Sequence, residues 1–263
     1  MAESRLIIHE FSGKYNQKEL YYMDNTMEEK DEFKDIHDPE IRYADGRLVR
    51  LKDFFKWASP SGRCLELGAG SCWVSSMLSR LDEVSEVYAL EISRRSLVQV
   101  APRIMDMLDA DKEKITRVLG DFNRLDFPDD HFDFVVFDAA LHHIPTRDFS
   151  KIMSQVKRIL RPKGKIIAVN EPFLPDLPII REKKRRDFGA DEKEHGIIEN
   201  SYSLSEWREL FADSGFKTFF KEYIPEFKND SIKRKVKKAV LSGPLRNIYF
   251  RVFPPHYFIV ADR

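Results

Sequence analysis

Glu66, Glu91, Asp121 and Asp138 each follow a short apolar run, and each lies beside turn-forming or small residues. Glu66-Leu67-Gly68-Ala69-Gly70-Ser71 passes into the amphipathic spacing of Trp73, Val74, Met77 and Leu78. Val87 to Leu90 ends at Glu91-Ile92, Ile115 to Leu119 leads to Gly120-Asp121-Phe122, and Phe134 to Phe137 ends at Asp138. A carboxylate accepts hydrogen bonds and donates none, so such groups gathered in one crevice are candidate acceptors for a ligand. Gly68 and Gly70 allow close backbone approach to it. Beyond Asp138 stand His142 and His143, then Glu171 after the next apolar run, and His195 in Glu194-His195-Gly196. Imidazole accepts a proton near neutral pH, which makes the three histidines candidate bases for a hydroxyl nucleophile. Glu171 is a candidate for orienting the nucleophile or a histidine. Adjacent histidines lack helical metal-ligand spacing and no clear acidic set accompanies them, so no metal is expected.

These residues need a scaffold that brings strand ends together. From Arg63 onward, apolar runs alternate with amphipathic stretches, predicting strands near residues 63–67, 87–90, 115–119, 134–137, 165–169, 216–222 and 257–261. The pattern implies an α/β fold, a Rossmann-like sheet of seven mostly parallel strands with right-handed crossovers and an antiparallel last strand. Ligands of such sheets lie beyond the carboxyl ends of the strands, where the acidic residues fall. A helix is expected from Ser93 to Leu108, kinked or split at Pro102, and Arg161-Pro162-Lys163-Gly164 reads as a turn.

Residues 1–60 precede this pattern. Leu48, Val49, Leu51, Phe54, Phe55 and Trp57 mark an amphipathic helix stopped by Pro60, hence an N-terminal helical cap. That cap either packs on the sheet or also covers a ligand, with Tyr21 or Tyr22 beside it. Residues 61–263 form the main domain, with probable substrate insertions at 171–203 and 224–254. Ser203-Leu204-Ser205-Glu206 is a capping box that opens a helix.

The chain has 263 residues, with 44 basic and 44 acidic side chains. That balance makes no general case for nucleic acid binding. Its two cysteines, Cys64 and Cys72, read as buried thiols. With neither an apolar signal region nor a run of roughly 20 apolar residues, the expected location is cytoplasmic. Lysines and Arg234 surround Ile232, Val236, Ala239 and Val240, with Leu245 to Phe253 following. The segment 231–253 therefore offers a face for peripheral membrane contact or a lipid-linked substrate, or simply packs on the sheet.

In order and spacing, the segments Glu66–Ser71, Glu91, Gly120-Asp121-Phe122, Asp138–His143 and Leu160–Gly164 resemble the class I methyltransferases, especially those acting on small molecules and glycans. The resemblance covers about residues 60–170. It implies S-adenosyl-L-methionine as cofactor, with Glu66 near the methionine portion and Gly68, Ala69 and Gly70 admitting it. Glu91, followed by Ile92, would accept from the ribose hydroxyls. Asp121 would meet the adenine amino group, Phe122 the base and Asp138 the transfer region. Such turns often carry a third glycine where this chain has Cys72. Asp138-Ala139-Ala140-Leu141 departs from the Asp/Asn-Pro-Pro-aromatic pattern of base-nitrogen methylation, which argues against nucleic acid. The implied activity is O-methylation of a small molecule or of a sugar hydroxyl in a glycan or lipid-linked glycan, assisted by His143 or His195. N-methylation of a metabolite, a non-catalytic scaffold and a nicotinamide oxidoreductase are the alternatives.

Overall fold

The computed structural model describes residues 4–9, 17, 18, 20, 21, 39–223 and 243–263, with side chains from residue 48 onward in the first long helix. Tyr22 and residues 231–242 of the basic segment lie outside the described residues. The main strands are β1 (Arg5–Ile8), β2 (Gly62–Leu67), β3 (Val84–Glu91), β4 (Ile115–Leu119), β5 (Phe132–Asp138) and β6 (Leu160–Val169). A short β7 (Phe173–Leu174) pairs in parallel with β8 (Tyr202–Ser203), and β9 (Lys217–Tyr223) and β10 (His256–Asp262) complete the strands.

Among the described residues the main sheet has eight strands in the order β1-β4-β3-β2-β5-β6-β10-β9, one more than the alternation predicts. The extra strand is β1, inside the stretch expected to be purely a helical cap. It pairs in parallel with β4 through Arg5–Thr116 to Ile8–Leu119. At this edge Leu6 and Ile8 stay exposed, so the strand lacks the buried-face alternation by which strands are recognised. β10 is antiparallel to both its neighbours, and the rest of the sheet is parallel, as expected.

Central strands buried on both faces demand helices above and below. One face carries α1 (Pro39–Ala58), whose Leu51, Phe54 and Phe55 are buried, with Phe54 4.7 Å from Phe258 between ring centroids. α2 (Trp73–Ser79) and α3 (Ala101–Met107) lie in the same apolar layer. The opposite face is covered by α4 (Phe149–Ile159) and later by the helix opened by Ser203. The expected helix over 93–108 is instead a π-helical turn, Ser96–Val100, running into α3. Pro102 thereby falls in the first turn of α3, where its missing N–H breaks no intrahelical bond.

Arg161–Gly164 turns as expected, with Lys163 left-handed at φ 70° after Pro162, but the turn falls inside a strand. β6 begins at Leu160 and bulges there, its partner shifting from Phe132–Leu160 directly to Phe134–Lys165. The bulge keeps one strand continuous while absorbing the extra residues.

After β7 come α5 (Pro178–Asp187) and α6 (Ala190–Glu194), then β8 and α7 (Leu204–Asp213). The capping box at Ser203 forms in full: the Ser203 amide donates to Glu206 Oε2 at 2.7 Å, and the Glu206 amide donates to Ser203 Oγ at 3.4 Å. Arg185 of α5 adds a fork to Glu206, at 2.7 and 2.9 Å. Substituting Ser203 by alanine is therefore expected to cost about 1 kcal/mol, a fall of roughly 2–4 °C in Tm by calorimetry for a domain of this size. α8 (Arg246–Val252) precedes β10.

Candidate active site

The turn between β2 and α2 is built around two glycines of positive φ. Gly68 lies at φ +74°, and a Cβ there would fall 2.9 Å from the Ala140 Cβ and 3.1 Å from Phe122 Cζ. Gly70, at φ +49°, has nothing within 4 Å of where its Cβ would stand. One glycine is needed because side chains crowd it; the other presents bare backbone to open space. Cys72 is also left-handed, at φ 62° and ψ 35°, a conformation that glycine enters at less cost. This explains the preference for a third glycine there. Burial drives the thiols of Cys72 and Cys64 upward, Cys64 to about 12, and both cysteines are reduced.

Around this turn the carboxylates of Glu66, Glu91, Asp121 and Asp138 are all buried at the carboxyl ends of β2 to β5. Glu91 receives the Gly70 amide at 2.7 Å, the Ile92 amide at 2.8 Å and the Ser93 amide at 2.9 Å. Glu66 accepts from the Ser75 amide at 2.8 Å and from the Ser75 hydroxyl, bracing the first turn of α2. Asp121 takes the Asn123 amide at 2.8 Å, and Phe122 is half-buried beside Gly68. Asp138 accepts from Asn170 Nδ2 at 2.6 Å, and Asn170 Oδ1 in turn accepts from Arg50 Nε at 2.8 Å. Arg50 and Asn170, which the sequence reading missed, thus tie α1 to the end of β5. Ala69 is buried in the turn, whereas Tyr21 is 69% exposed.

Beyond β5 the chain makes a 3-10 turn, Leu141–His143, held by Glu171. Glu171 Oε1 accepts the amides of Ala140 at 2.9 Å and Leu141 at 3.0 Å; Oε2 accepts the His142 amide at 3.2 Å and His142 Nδ1 at 2.8 Å. The carboxylate thereby fixes the proton of His142 on Nδ1. His143 donates from Nδ1 to the Ile198 carbonyl at 2.8 Å, which makes Nε2 its lone-pair nitrogen. Burial, with neighbouring His142, lowers the His143 pKa to about 4, so the ring is neutral at physiological pH.

Glu199, which carried no signal in the sequence, completes the group. Its carboxylate lies 3.6 Å from His142 Nε2 and 3.5 Å from His143 Nδ1. Burial raises its pKa, against the pull of His142. The Asn200 amide donates to the His142 carbonyl at 3.0 Å, and Asn200 Nδ2 donates to the Ile144 carbonyl at 2.9 Å, stitching the insertion to the histidine turn. Glu171 meets a histidine as expected, while the expectation that no clear acidic ligand set accompanies the pair is corrected by Glu199, which reaches both rings through tertiary folding. His195 stands apart from this stitching, exposed after α6 with Nδ1 2.8 Å from the Asp191 carbonyl.

Residues 65–168 match a family model described as a methyltransferase domain. The chain is 23% identical over 193 residues to a demethylmenaquinone methyltransferase of Listeria welshimeri, covering 64% of this chain and 80% of that protein. It is 27% identical over 178 residues to the uncharacterised methyltransferase YcgJ of Bacillus subtilis, covering 68% and 66%. The crystal structure of YcgJ superposes with a TM-score of 0.57 at 22% identity over 81% of this chain and 97% of that one. A structure of DhpI in complex with SAM and HEP matches with a TM-score of 0.59 at 17% identity, covering 94% and 96%. At such identities the structural likeness shows the fold, and the family match adds the class to it. Residues 65–168 thus carry a methyltransferase domain, on the fold of the S-adenosylmethionine-dependent enzymes it resembles.

Proposed function

We propose that the protein methylates a small-molecule acceptor carrying an acidic hydroxyl or an activated aromatic carbon. The observation that carries this reading is the convergence of Gly70, Glu91, Asp121 and Asp138 on one sheet edge, with the histidine turn directly beyond Asp138. S-adenosylmethionine, when bound, supplies an electrophilic methyl group on a sulfonium centre. The residues fit such a ligand: Gly70 opens bare backbone to empty space, and the buried acceptors match its ribose and adenine donors.

In this reading Glu91, with Ile92 beside it, takes the ribose hydroxyls, and Asp121 and Phe122 take the adenine. Glu66 holds the α2 turn that, with Gly68 and Ala69, lines the methionine end. Asp138 sits at the transfer edge, positioned through Asn170 by Arg50. His142 and His143 face the acceptor, and Glu171 locks their turn. His143 is neutral and weakly basic, with a pKa of about 4. A base this weak favours an acceptor such as a phenol, ionising near pH 10, over a sugar hydroxyl, which is less acidic still. Several relatives are named for quinone substrates, as the Listeria protein is, which supports the same class. His195, on the exposed turn, fits a lid contact to the acceptor better than proton transfer.

The lid reading extends to 171–203, whose α5 and α6 lie between β7 and β8. Among the described residues no helix is long and apolar enough to cross a membrane. Leu245, Ile248 and Phe253 are exposed at α8, which supports a peripheral contact for an apolar acceptor.

Calorimetric titration with S-adenosylmethionine and, in parallel, a nicotinamide dinucleotide tests the donor. Saturable binding of the former alone is expected. Radiolabelled methyl transfer is then measured with a reduced naphthoquinone and with a nucleotide sugar. Transfer to the naphthoquinone at least about tenfold faster is the expected result; preferential transfer to the sugar would overturn the acceptor class and restore the glycan reading.

A further inference from the structure

Among the described residues, His142, His143 and Glu199 place one ligand atom each within 4.8 Å of one another. The two nitrogens nearest the carboxylate are His142 Nε2 and His143 Nδ1, at 3.6 and 3.5 Å. Those separations are long for a hydrogen bond. They are close to the edge of a tetrahedron with metal–ligand bonds of about 2.0–2.1 Å, an edge of roughly 3.4 Å. We propose that His142, His143 and Glu199 bind a divalent transition-metal cation of the zinc type.

Three further observations point the same way. His142 donates its other ring nitrogen to Glu171 at 2.8 Å, the carboxylate–histidine pairing that orients a metal-bound imidazole. Glu171 is served by its four donors, whereas Glu199, its side chain 10% exposed, meets the two imidazoles only at 3.5–3.6 Å; a buried carboxylate calls for a compensating cation. The donor set, two imidazoles and one carboxylate, suits zinc, iron or cobalt and not magnesium or calcium, which take oxygen ligands. Three protein ligands also leave a position for an exogenous oxygen, as in catalytic sites. His143 Nδ1 donates its proton to the Ile198 carbonyl in the metal-free protein; binding gives up that hydrogen bond and shifts the proton to Nε2, so that the neutral ring offers its Nδ1 lone pair to the cation. The cluster lies at the edge read above as acceptor-activating, and its role in transfer rests on that reading. There the cation would hold the acceptor oxygen and lower its pKa. Cation binding itself does not depend on that reading.

The test uses the full chain stripped with a chelator, titrated with Zn²⁺ alone and with Co²⁺ alone, the latter followed by visible absorption. One equivalent of each is expected to bind, with the cobalt bands of a low-coordinate site. Glu199→Gln, nearly isosteric, is expected to weaken binding about 100-fold, and Glu171→Gln about 10–100-fold through the orientation of His142. S-adenosylmethionine titrated into the same samples verifies that the donor site is intact and separates failure of the metal site from failure of the donor reading. Absence of saturable binding in the unsubstituted protein would overturn the proposal. Binding unchanged in both Glu199→Gln and His142→Ala would do so too, since the cation would then sit elsewhere.

Discussion

Glu91→Ala is expected to weaken S-adenosylmethionine binding by about 100-fold or more. Two hydrogen bonds from ribose hydroxyls to an ionised carboxylate contribute roughly 1.5–3 kcal/mol each, so their joint loss spans two orders of magnitude at the lower end. The same carboxylate anchors the amides of Gly70, Ile92 and Ser93. Alanine therefore also loosens the glycine turn, and this adds to the loss. Glu91→Gln separates the two contributions, because its carbonyl still accepts while its amide cannot reproduce both acceptor sites. An affinity between those of the original protein and the alanine variant is expected from calorimetry. Donor affinity within about threefold of the original in Glu91→Ala would reject the ribose assignment.

The second large effect is expected at Glu171. Alanine there strands the amides of Ala140, Leu141 and His142 together with His142 Nδ1, all accepted by one buried carboxylate. Each buried donor left without a partner costs about 1–3 kcal/mol. Partial relaxation and water entry reduce the sum, so a net loss of roughly 3–5 kcal/mol is expected, near that for breaking a buried pair. Thermal unfolding should then fall by about 6–20 °C at the shift per kcal/mol typical of this size. Glu171→Gln preserves the side chain's shape and one acceptor, and should recover most of that stability. Methyl transfer should nevertheless remain at least about tenfold down in the glutamine variant at saturating donor, because the amide no longer accepts both the turn and the imidazole. A glutamine variant with full transfer would show that Glu171 acts through stability alone.

Much of the proposed donor side was legible because its signals are local. A glycine turn, a carboxylate after an apolar run and a helix period each occupy a few consecutive residues, and each maps onto one strand end. Glu66, Glu91, Asp121 and Asp138 could therefore be placed by reading strands in order, since a parallel sheet with right-handed crossovers puts every such end on one edge. The capping box at Ser203 was equally readable, as both partners lie within one turn. Edge strand β1 was not, because exposure removes the alternation that marks a strand. The turn at Arg161–Gly164 was readable, but its place inside a continuous β6 was not: a turn composition looks the same whether the strand ends or bulges there.

The histidine turn, the proposed acceptor side, shows the opposite case. His142 and His143 were evident as residues, but their chemistry depends on groups far along the chain: the Ile198 carbonyl that sets the His143 tautomer is 55 residues away. Glu199 sits in an insertion without periodicity and reaches the histidines because β7 pairs with β8 and Asn200 bonds the turn. The same closure lowers the His143 pKa, through burial that no local pattern encodes. Local composition and periodicity thus determined the sheet, the glycine turn and the acidic edge of this protein. Long-range packing decided the protonation, orientation and company of the histidine pair, because burial and hydrogen bonding between distant segments exist only once the chain has folded.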